Sequence, residues 1–451
     1  MTAAAGETAT RPRKGERLEV EVDSLAFGGR GVARHEGYVV FVSGGLPGDR
    51  VLAEVTKPKR SFAEARAVEL LRPGADRVPD RCTHEGEPCP GAPWQGLAYE
   101  SQLAHKQGQV EEALRRIGGL DDFELEEIVP ADEQWRYRNK LEYSFGEVDG
   151  EVVLGFHARG RWDLVVGVED CLLGSERGNA ARNEVREWAR REWARREGVP
   201  AYDRRARRGV LRNLVVREGR RTGQIQTRLV TAPERFPKPP VDAHTIVEGD
   251  SGSTEGPTGI LGEEHLREEL CGLEFEISHG AFFQTNTEMA ERLYGVAADY
   301  ANLSGGEKVF DLYCGIGTIG LTMARRAGEV WGIEIVPEAI GDAERNAERN
   351  GIANAQFRVG SARTGLRPLI EEAGKPDTVV VDPPRAGLSQ KIVRRILECE
   401  AKRIVYVSCN PTTLAPNAAQ MVEAGYTLRR VRPVDMFPQT PHIECVALLE
   451  R

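Results

Sequence analysis

One cysteine stands where a nucleophile could act. Cys409 follows an apolar run, Ile404–Val407, that predicts a buried strand, and Asn410-Pro411 behind it predicts a loop that turns into a helix. In open α/β sheets, ligands bind at the carboxyl ends of the strands, so a thiol in this position suggests covalent catalysis beside a cofactor. The alternative is that Cys409 is a small buried hydrophobe, as most free cysteines are.

A second motif has the composition of a cofactor loop. Asp311–Thr318 places Gly315 and Gly317 between a predicted strand and a predicted helix, and Glu334 lies near the end of the next strand. Glycine lets the backbone approach an adenosyl ligand, and an acid at the second strand end can bind ribose hydroxyls. The spacing does not match the three-glycine dinucleotide pattern, and the loop resembles that of class I methyltransferases using S-adenosylmethionine. The alternative is a tight structural turn.

These motifs lie in a region, from about residue 281, where strands and helices alternate. Strands are predicted at Lys308–Asp311, Glu329–Ile335, Thr378–Asp382 and Arg403–Ser408, with helices between them. Continuous Val/Ile runs between helices predict an α/β fold with a parallel sheet covered on both faces, and two late strands at 427–431 and 445–449 complete it.

The N-terminal part has a different pattern. Short alternating strands and glycine-rich turns at 14–72 predict an OB-type β-barrel, a fold that commonly binds oligonucleotides, after a disordered tail at 1–13. Lys57, Lys59 and Arg60 in one loop would suit a nucleic-acid backbone.

A central α+β domain is predicted at 73–280, and the class I (Rossmann-like) methyltransferase domain at 281–451. Within the central domain, Gly178–Glu197 predicts an arginine-rich helix, and Glu248–Pro257 predicts a hairpin tip or exposed loop.

Charge is distributed unevenly along the 451 residues. The chain carries a net charge of -9, yet 177–221 holds fifteen arginines against six acidic residues. This stretch predicts a surface for anions such as RNA phosphates, or alternatively a solvated helix with pairs such as Glu187/Arg191. Eight scattered cysteines, no long apolar run and no signal-peptide pattern predict a cytoplasmic protein without a membrane partner.

The C-terminal motifs closely resemble the RNA 5-methyluridine methyltransferase family. The resemblance rests on five segments: Phe283–Asn286, Phe310–Thr318, Val381–Leu388, Tyr406–Leu414 and Asp435–Val446. It implies that Gln284, Tyr313, Glu334 and Asp382 bind S-adenosylmethionine, that Cys409 is the nucleophile and that Glu444 is the base. The barrel resembles the TRAM domain of the members that act on 23S ribosomal RNA.

The expected activity is therefore methylation of uridine C5 in RNA through a bond between Cys409 and C6. Ribosomal RNA is favoured over transfer RNA as the partner, and a monomer is expected. The alternatives are a transfer-RNA uridine-C5 methyltransferase, an RNA cytidine-C5 methyltransferase using the same addition chemistry, and a noncatalytic RNA-binding factor.

The family's iron–sulfur loop is altered in this chain. Cys82 and Cys89 match two ligands and Cys171 matches a late fourth, but Ala92 stands where the third belongs. Three thiolates do not complete a four-cysteine site, and His84 is the other side chain considered as a ligand. We therefore predict no stable iron–sulfur cluster and no metal.

Overall fold

The computed structural model describes residues 11–84, 87–158, 160–194, 200–232, 244–248 and 257–451. Most of the predicted tail and most of the predicted loop at Glu248–Pro257 lie outside these residues. The chain forms two compact units, Met1–Gln109 with Phe437–His442, and Val110–Met436 with Ile443–Arg451.

The first unit begins with a closed five-stranded barrel in the order β1-β2-β3-β5-β4. Its strands are β1 Arg17–Leu25, β2 Gly31–His35, β3 Tyr38–Ser43, β4 Arg50–Pro58 and β5 Phe62–Arg72. Alternate residues of β1 are buried, which places Leu18, Val20 and Val22 in the barrel core. Closure pairs every strand on both sides, so the barrel has no free edge.

The remainder of the first unit contains a two-stranded hairpin and a helix. These are β6 Thr83–His84, β7 Glu87–Pro88 and α1 Tyr99–Glu112. The last three residues of α1 belong to the second unit, and the helix continues there as a π-helical turn, Ala113–Ile117. Trp94 and Leu97 pack with Leu25 and Leu46 in a small separate core.

The second unit contains a seven-stranded sheet in the order β11-β10-β9-β12-β13-β14-β15. The elements of this part are β8 Glu124–Leu125, β9 Lys140–Val148, β10 Glu151–His157, β11 Val165–Gly167, α2 Glu176–Ala194, β12 Leu211–Glu218, β13 Ile225–Thr231, β14 His244–Glu248 and β15 Pro257–Leu261. Helix α2 covers this sheet. A hairpin follows, formed by β16 Leu266–Leu270 and β17 Leu273–Ile277.

The arginine-rich helix is partly structural. Arg182 is fully buried and donates hydrogen bonds to the carbonyls of Val168 and Glu169. Glu187 pairs with Arg186 and Arg190. The chain thus uses several of these arginines for its own packing, although the predicted partner of Glu187 was Arg191.

The second sheet of this unit has eight strands, in the order β20-β19-β18-β21-β22-β24-β23-β8. Its elements are α3 Thr287–Ala301, β18 Lys308–Leu312, α4 Thr318–Ala324, β19 Glu329–Glu334, α5 Pro337–Arg349, β20 Ala355–Val359, α6 Ala362–Ala373, β21 Thr378–Val381, α7 Gln390–Glu398, β22 Arg403–Ser408, α8 Pro411–Glu423, β23 Thr427–Val434 and β24 Glu444–Glu450. The first five strands in this order, β20, β19, β18, β21 and β22, are parallel, whereas β24 runs antiparallel to its neighbours β22 and β23. None of the helices in the described ranges is long and apolar enough to span a membrane.

Candidate active site

The glycine loop follows β18 and has an unusual backbone. Tyr313 adopts a φ of 65°, and Gly315 and Gly317 adopt φ of 54° and 85°. Gly317 is the N-cap of α4, and a Cβ added to Gly315 would meet no atom within 4 Å. The loop therefore leaves open space beside its backbone, as a closely approaching ligand requires.

Glu334, at the end of β19, is held by the backbone. Its carboxylate accepts hydrogen bonds from the N–H groups of Gly315 at 3.3 Å, Ile335 at 2.7 Å and Val336 at 3.1 Å. These bonds fix the acid beside the glycine loop, where it can accept hydrogen bonds from ribose hydroxyls.

An exposed apolar surface lies next to Glu334, and the sequence did not indicate it. Ile335, Val336 and Val359 are 64%, 46% and 55% exposed, and Glu334 is the register partner of Val359 on β20. Such a surface fits an adenine ring. Ser361, two residues after Val359, caps α6 by accepting a hydrogen bond from the Arg363 N–H.

Cys409 and Glu444 lie next to each other where β22 ends and β24 begins, although 34 residues separate them in the sequence. β22 pairs antiparallel with β24, and Ser408 is the register partner of Cys445. Cys409, which follows Ser408, therefore lies opposite Glu444, which precedes Cys445. These are the two predicted catalytic residues. Asp382 follows β21, which is the parallel neighbour of β22 on its other side.

The loop after Asp382 is fixed to the start of α8. The side chain of Asn410 caps α8 and donates a hydrogen bond to the Arg385 carbonyl at 3.0 Å. Asn417 donates to the Leu388 carbonyl and accepts from its N–H, both at 2.9 Å. Neither asparagine was predicted as a positioning residue, because their contacts join segments that are distant in sequence.

Gln284 is the predicted site residue with the weakest structural connection to the others. It is buried, and its backbone carbonyl accepts a hydrogen bond from the side-chain amide of Asn139. It lies just before α3, which packs against β21, β22 and β24. The strands that carry Asp382, Cys409 and Glu444 thus pack against the helix that follows Gln284.

The titratable groups at this site lie in a partly buried environment, where Cys409 is half-buried and Glu444 is buried. Burial, then the charges of Glu444 and Asp382, raise the pKa of the Cys409 thiol to about 11, while Arg385 lowers it. Burial and Asp382 raise the pKa of Glu444 well above its ordinary range, again opposed by Arg385. Burial therefore favours the protonated form of both groups in the free protein.

Two further acids complete this set. Burial raises the pKa of Asp311 to about 7, although the Gly320 N–H donates to its carboxylate at 2.8 Å. Burial and Asp311 also raise the pKa of Asp382 to about 7. Asp382 keeps some solvent-accessible surface, and we expect water to reduce its shift relative to that of Asp311. Asp311 Oδ1 is buried and makes no hydrogen bond within the described structure. Closely spaced acids of this kind favour a cationic ligand, and the sulfonium of S-adenosylmethionine is one.

The fold and this site define a class I methyltransferase that uses S-adenosylmethionine. Residues 260–451 match the family model for tRNA (uracil-5-)-methyltransferase, and residues 11–68 match the TRAM domain. The chain is 38% identical over 453 residues to an uncharacterized RNA methyltransferase of Halalkalibacterium halodurans, covering 97% of each chain. A relative from Clostridium tetani, also named uncharacterized RNA methyltransferase, is 35% identical over 465 residues, covering 97% of this chain and 98% of the relative.

A solved structure agrees with these matches. The Pyrococcus abyssi tRNA (uracil-54, C5)-methyltransferase in complex with S-adenosyl-L-homocysteine superposes with a TM-score of 0.75 and 29% identity, covering 96% of this chain and 100% of that one. The chain belongs to the RNA uracil-5-methyltransferase family and is an S-adenosylmethionine-dependent enzyme. The predicted family, fold class and cofactor are confirmed, whereas the domain boundaries and the roles of individual site residues stay predictions.

Proposed function

We propose that this enzyme makes 5-methyluridine in ribosomal RNA through a transient bond between Cys409 Sγ and C6 of the target uracil. The observation that supports it most directly is the register of β22 and β24, which sets Cys409 and Glu444 opposite each other beside Asp382. A thiol and an acid side by side are the two groups that this addition chemistry requires.

The reaction assigns one task to each residue. C5 of uracil is weakly nucleophilic, and addition of the Cys409 thiolate to C6 makes C5 carbanion-like. S-adenosylmethionine, when bound, supplies the methyl group. Glu444, as a carboxylate, then takes the proton from C5, and the bond between sulfur and C6 breaks to release the product. Burial favours the protonated forms of Cys409 and Glu444 in the free protein, so Cys409 must lose its proton before it adds to C6, and Glu444 must be ionised before it accepts the proton from C5.

We infer the residues that bind S-adenosylmethionine from the contacts of the glycine loop. Glu334 would bind the ribose hydroxyls, and the apolar surface of Ile335 and Val359 would contact the adenine. Tyr313 and Asp382 would line the remaining part of the cofactor site. Gln284 would complete that site, as the family resemblance implies. The support for this assignment is the open space at Gly315 and the fixed carboxylate of Glu334.

The RNA would be held mainly through its phosphates, while the target base is unstacked to reach the sulfur. In the first unit, Lys57 is exposed near the end of β4, rather than in the predicted loop, and Arg60 is exposed in the turn between β4 and β5. In the second unit, Arg207 and Arg208 are exposed, and neither forms an ion pair with another described residue. The Pyrococcus abyssi match covers 96% of this chain, so the barrel alone does not separate ribosomal from transfer RNA.

The test is methyl transfer from labelled cofactor to unmodified 23S ribosomal RNA and to transfer-RNA transcripts, followed by mass analysis of the nucleosides. We expect 5-methyluridine in ribosomal RNA, and none with Cys409→Ala, which should still bind RNA. Cys271→Ser is the matched control, because Cys271 lies in the turn between β16 and β17, and it should remain active. Methylation by the alanine variant would refute the covalent mechanism. Label only in transfer RNA, or 5-methylcytidine as product, would refute the proposed substrate.

A further inference from the structure

A hairpin in the first unit brings three side chains with metal-binding atoms together. Cys82 precedes β6, His84 ends β6 and Cys89 follows β7. The N–H of Cys89 donates to the carbonyl of Cys82 at 3.1 Å. The two Sγ atoms and a ring nitrogen of His84 all lie within 4.8 Å of one another. The hairpin therefore forms a compact group of two sulfurs and one nitrogen.

The separation of these atoms matches that of ligands on one ion. Cys82 Sγ and His84 Nε2 are 3.5 Å apart. In tetrahedral zinc sites the bonds are about 2.3 Å to sulfur and about 2.0 Å to nitrogen, which places the two ligand atoms about 3.5 Å apart. Two thiolates would balance the charge of a divalent cation, and thiolate with imidazole favours zinc over magnesium or calcium.

The hairpin is held in place by a buried glutamine. Gln95 Oε1 accepts a hydrogen bond from the Cys82 N–H, and Gln95 Nε2 donates to the Cys82 carbonyl, both at 2.7 Å. Gln95 and Cys82 are each 4% exposed, and Cys89 is 2% exposed. Polar groups are seldom buried without a partner, and these bonds fix the backbone that carries the first ligand.

The same residues do not fit the iron–sulfur cluster of the family. Ala92 occupies the position of the third cysteine and has no side-chain atom that can bind iron. Cys171 belongs to the second unit, where its N–H donates to Asn179 Oδ1 at 2.8 Å and its carbonyl accepts from Arg136 at 2.9 Å. Among the described residues of the hairpin, the available ligands are two thiols and one imidazole.

We propose that Cys82, His84 and Cys89 bind a single thiophilic divalent cation, Zn²⁺, in place of the four-cysteine cluster. Water would take the fourth position of the tetrahedron. Since the three ligands come from one short hairpin, the binding energy of the ion would stabilise the fold of that hairpin.

The experiment uses the full chain, purified without an affinity metal and analysed for zinc, iron and acid-labile sulfide. We expect about one zinc ion per chain and no sulfide. Replacement by Co²⁺ should give sulfur-to-cobalt charge transfer in the near ultraviolet and the strong visible absorption of tetrahedral cobalt. Cys89→Ser and His84→Ala should each weaken zinc binding by at least about 100-fold in competition with a chromophoric chelator.

Two variants distinguish zinc binding from a loss of folding and from an iron–sulfur cluster. His84→Cys should keep the zinc and intensify the charge-transfer band, which a fold-disrupting change would not do. Cys171→Ser should leave the zinc content unchanged. Stoichiometric iron and sulfide that disappear in Cys171→Ser would overturn the proposal in favour of an iron–sulfur cluster that uses Cys171 as a ligand. Reduced protein that binds no zinc, with Cys82 and Cys89 joined as a disulfide after oxidation, would overturn it in favour of a redox pair.

Discussion

The protonation state of Cys409 gives a prediction that can be tested without RNA. Burial and the neighbouring acids raise the pKa of this thiol from an ordinary value of 9.0 to about 11. At pH 8 a thiol with the higher pKa is roughly 0.1% thiolate, whereas one with the ordinary pKa is roughly 10% thiolate, a difference of about 100-fold. Because only the thiolate reacts, iodoacetamide should modify Cys409 slowly.

The intrinsic reactivity of the thiolate offsets part of this difference. Nucleophilicity rises with pKa with a Brønsted coefficient of about 0.4–0.5, so the thiolate of Cys409 should be about 6- to 10-fold more reactive than an ordinary one. The net rate at pH 8 should therefore be about 10- to 16-fold below that of an unperturbed cysteine. It should rise about tenfold for each pH unit between 7 and 10.

The assay is pulsed alkylation of the cofactor-free protein, with quantification of the Cys409 peptide by mass spectrometry. The same peptide in the urea-unfolded chain supplies the reference rate. Arg385→Gln should slow the reaction further, because the guanidinium lowers the pKa of Cys409. A rate that is flat from pH 7 to 9 would show a preformed thiolate and would refute this reasoning.

Three other changes test the site and the fold. Glu444→Gln should accumulate an RNA adduct that persists in a denaturing gel, because proton removal from C5 is lost, and no adduct beside an active wild type would count against the assignment. The pKa of Asp311 is about 7 in the folded protein and 3.8 ordinarily. As the pH rises, this carboxyl therefore ionises in the unfolded chain before it ionises in the folded one, and the free energy of unfolding falls between about pH 4 and about pH 7. Asp311→Asn should therefore remove about 3 kcal/mol of pH dependence between pH 5 and 8 from the unfolding free energy of the second unit, measured by urea titration. Asp49 is fully buried and accepts hydrogen bonds from the Leu46 and Gly74 N–H groups and from Arg77, so Asp49→Ala should destabilise the first unit by about 3–5 kcal/mol in the same titration, and a change below about 1 kcal/mol would contradict this.

The strands that carry the site could be predicted from the sequence because they are fully buried. The runs Val379–Val381 and Ile404–Val407 within these strands are continuous, apolar and buried, as a parallel sheet covered on both faces requires. The adjacency of Cys409 and Glu444 could not be predicted from these runs. It depends on β24 running antiparallel to β22, and only the family resemblance indicated that the two residues share a site.

Elements with weaker patterns were missed. β20 has the sequence Ala-Gln-Phe-Arg-Val, and Phe357 is its one buried residue, so its apolar pattern is slight. β20 carries Val359, and the exposed apolar surface beside Glu334 was therefore not anticipated. Exposed apolar side chains of this kind give no periodic signal, because they do not face the core.

The raised pKa values of the acids and of Cys409, the predicted nucleophile, have one physical cause. Burial disfavours the charged forms of Asp311, Asp382 and Glu444, and it raises the pKa of all three carboxyl groups in the free protein. The same burial keeps Cys409 as a thiol, which resists oxidation and alkylation better than a thiolate does. A positive charge bound among these groups would lower every one of these pKa values together. Under the proposed mechanism, a bound cation would therefore favour the thiolate of Cys409 and the carboxylate of Glu444 together.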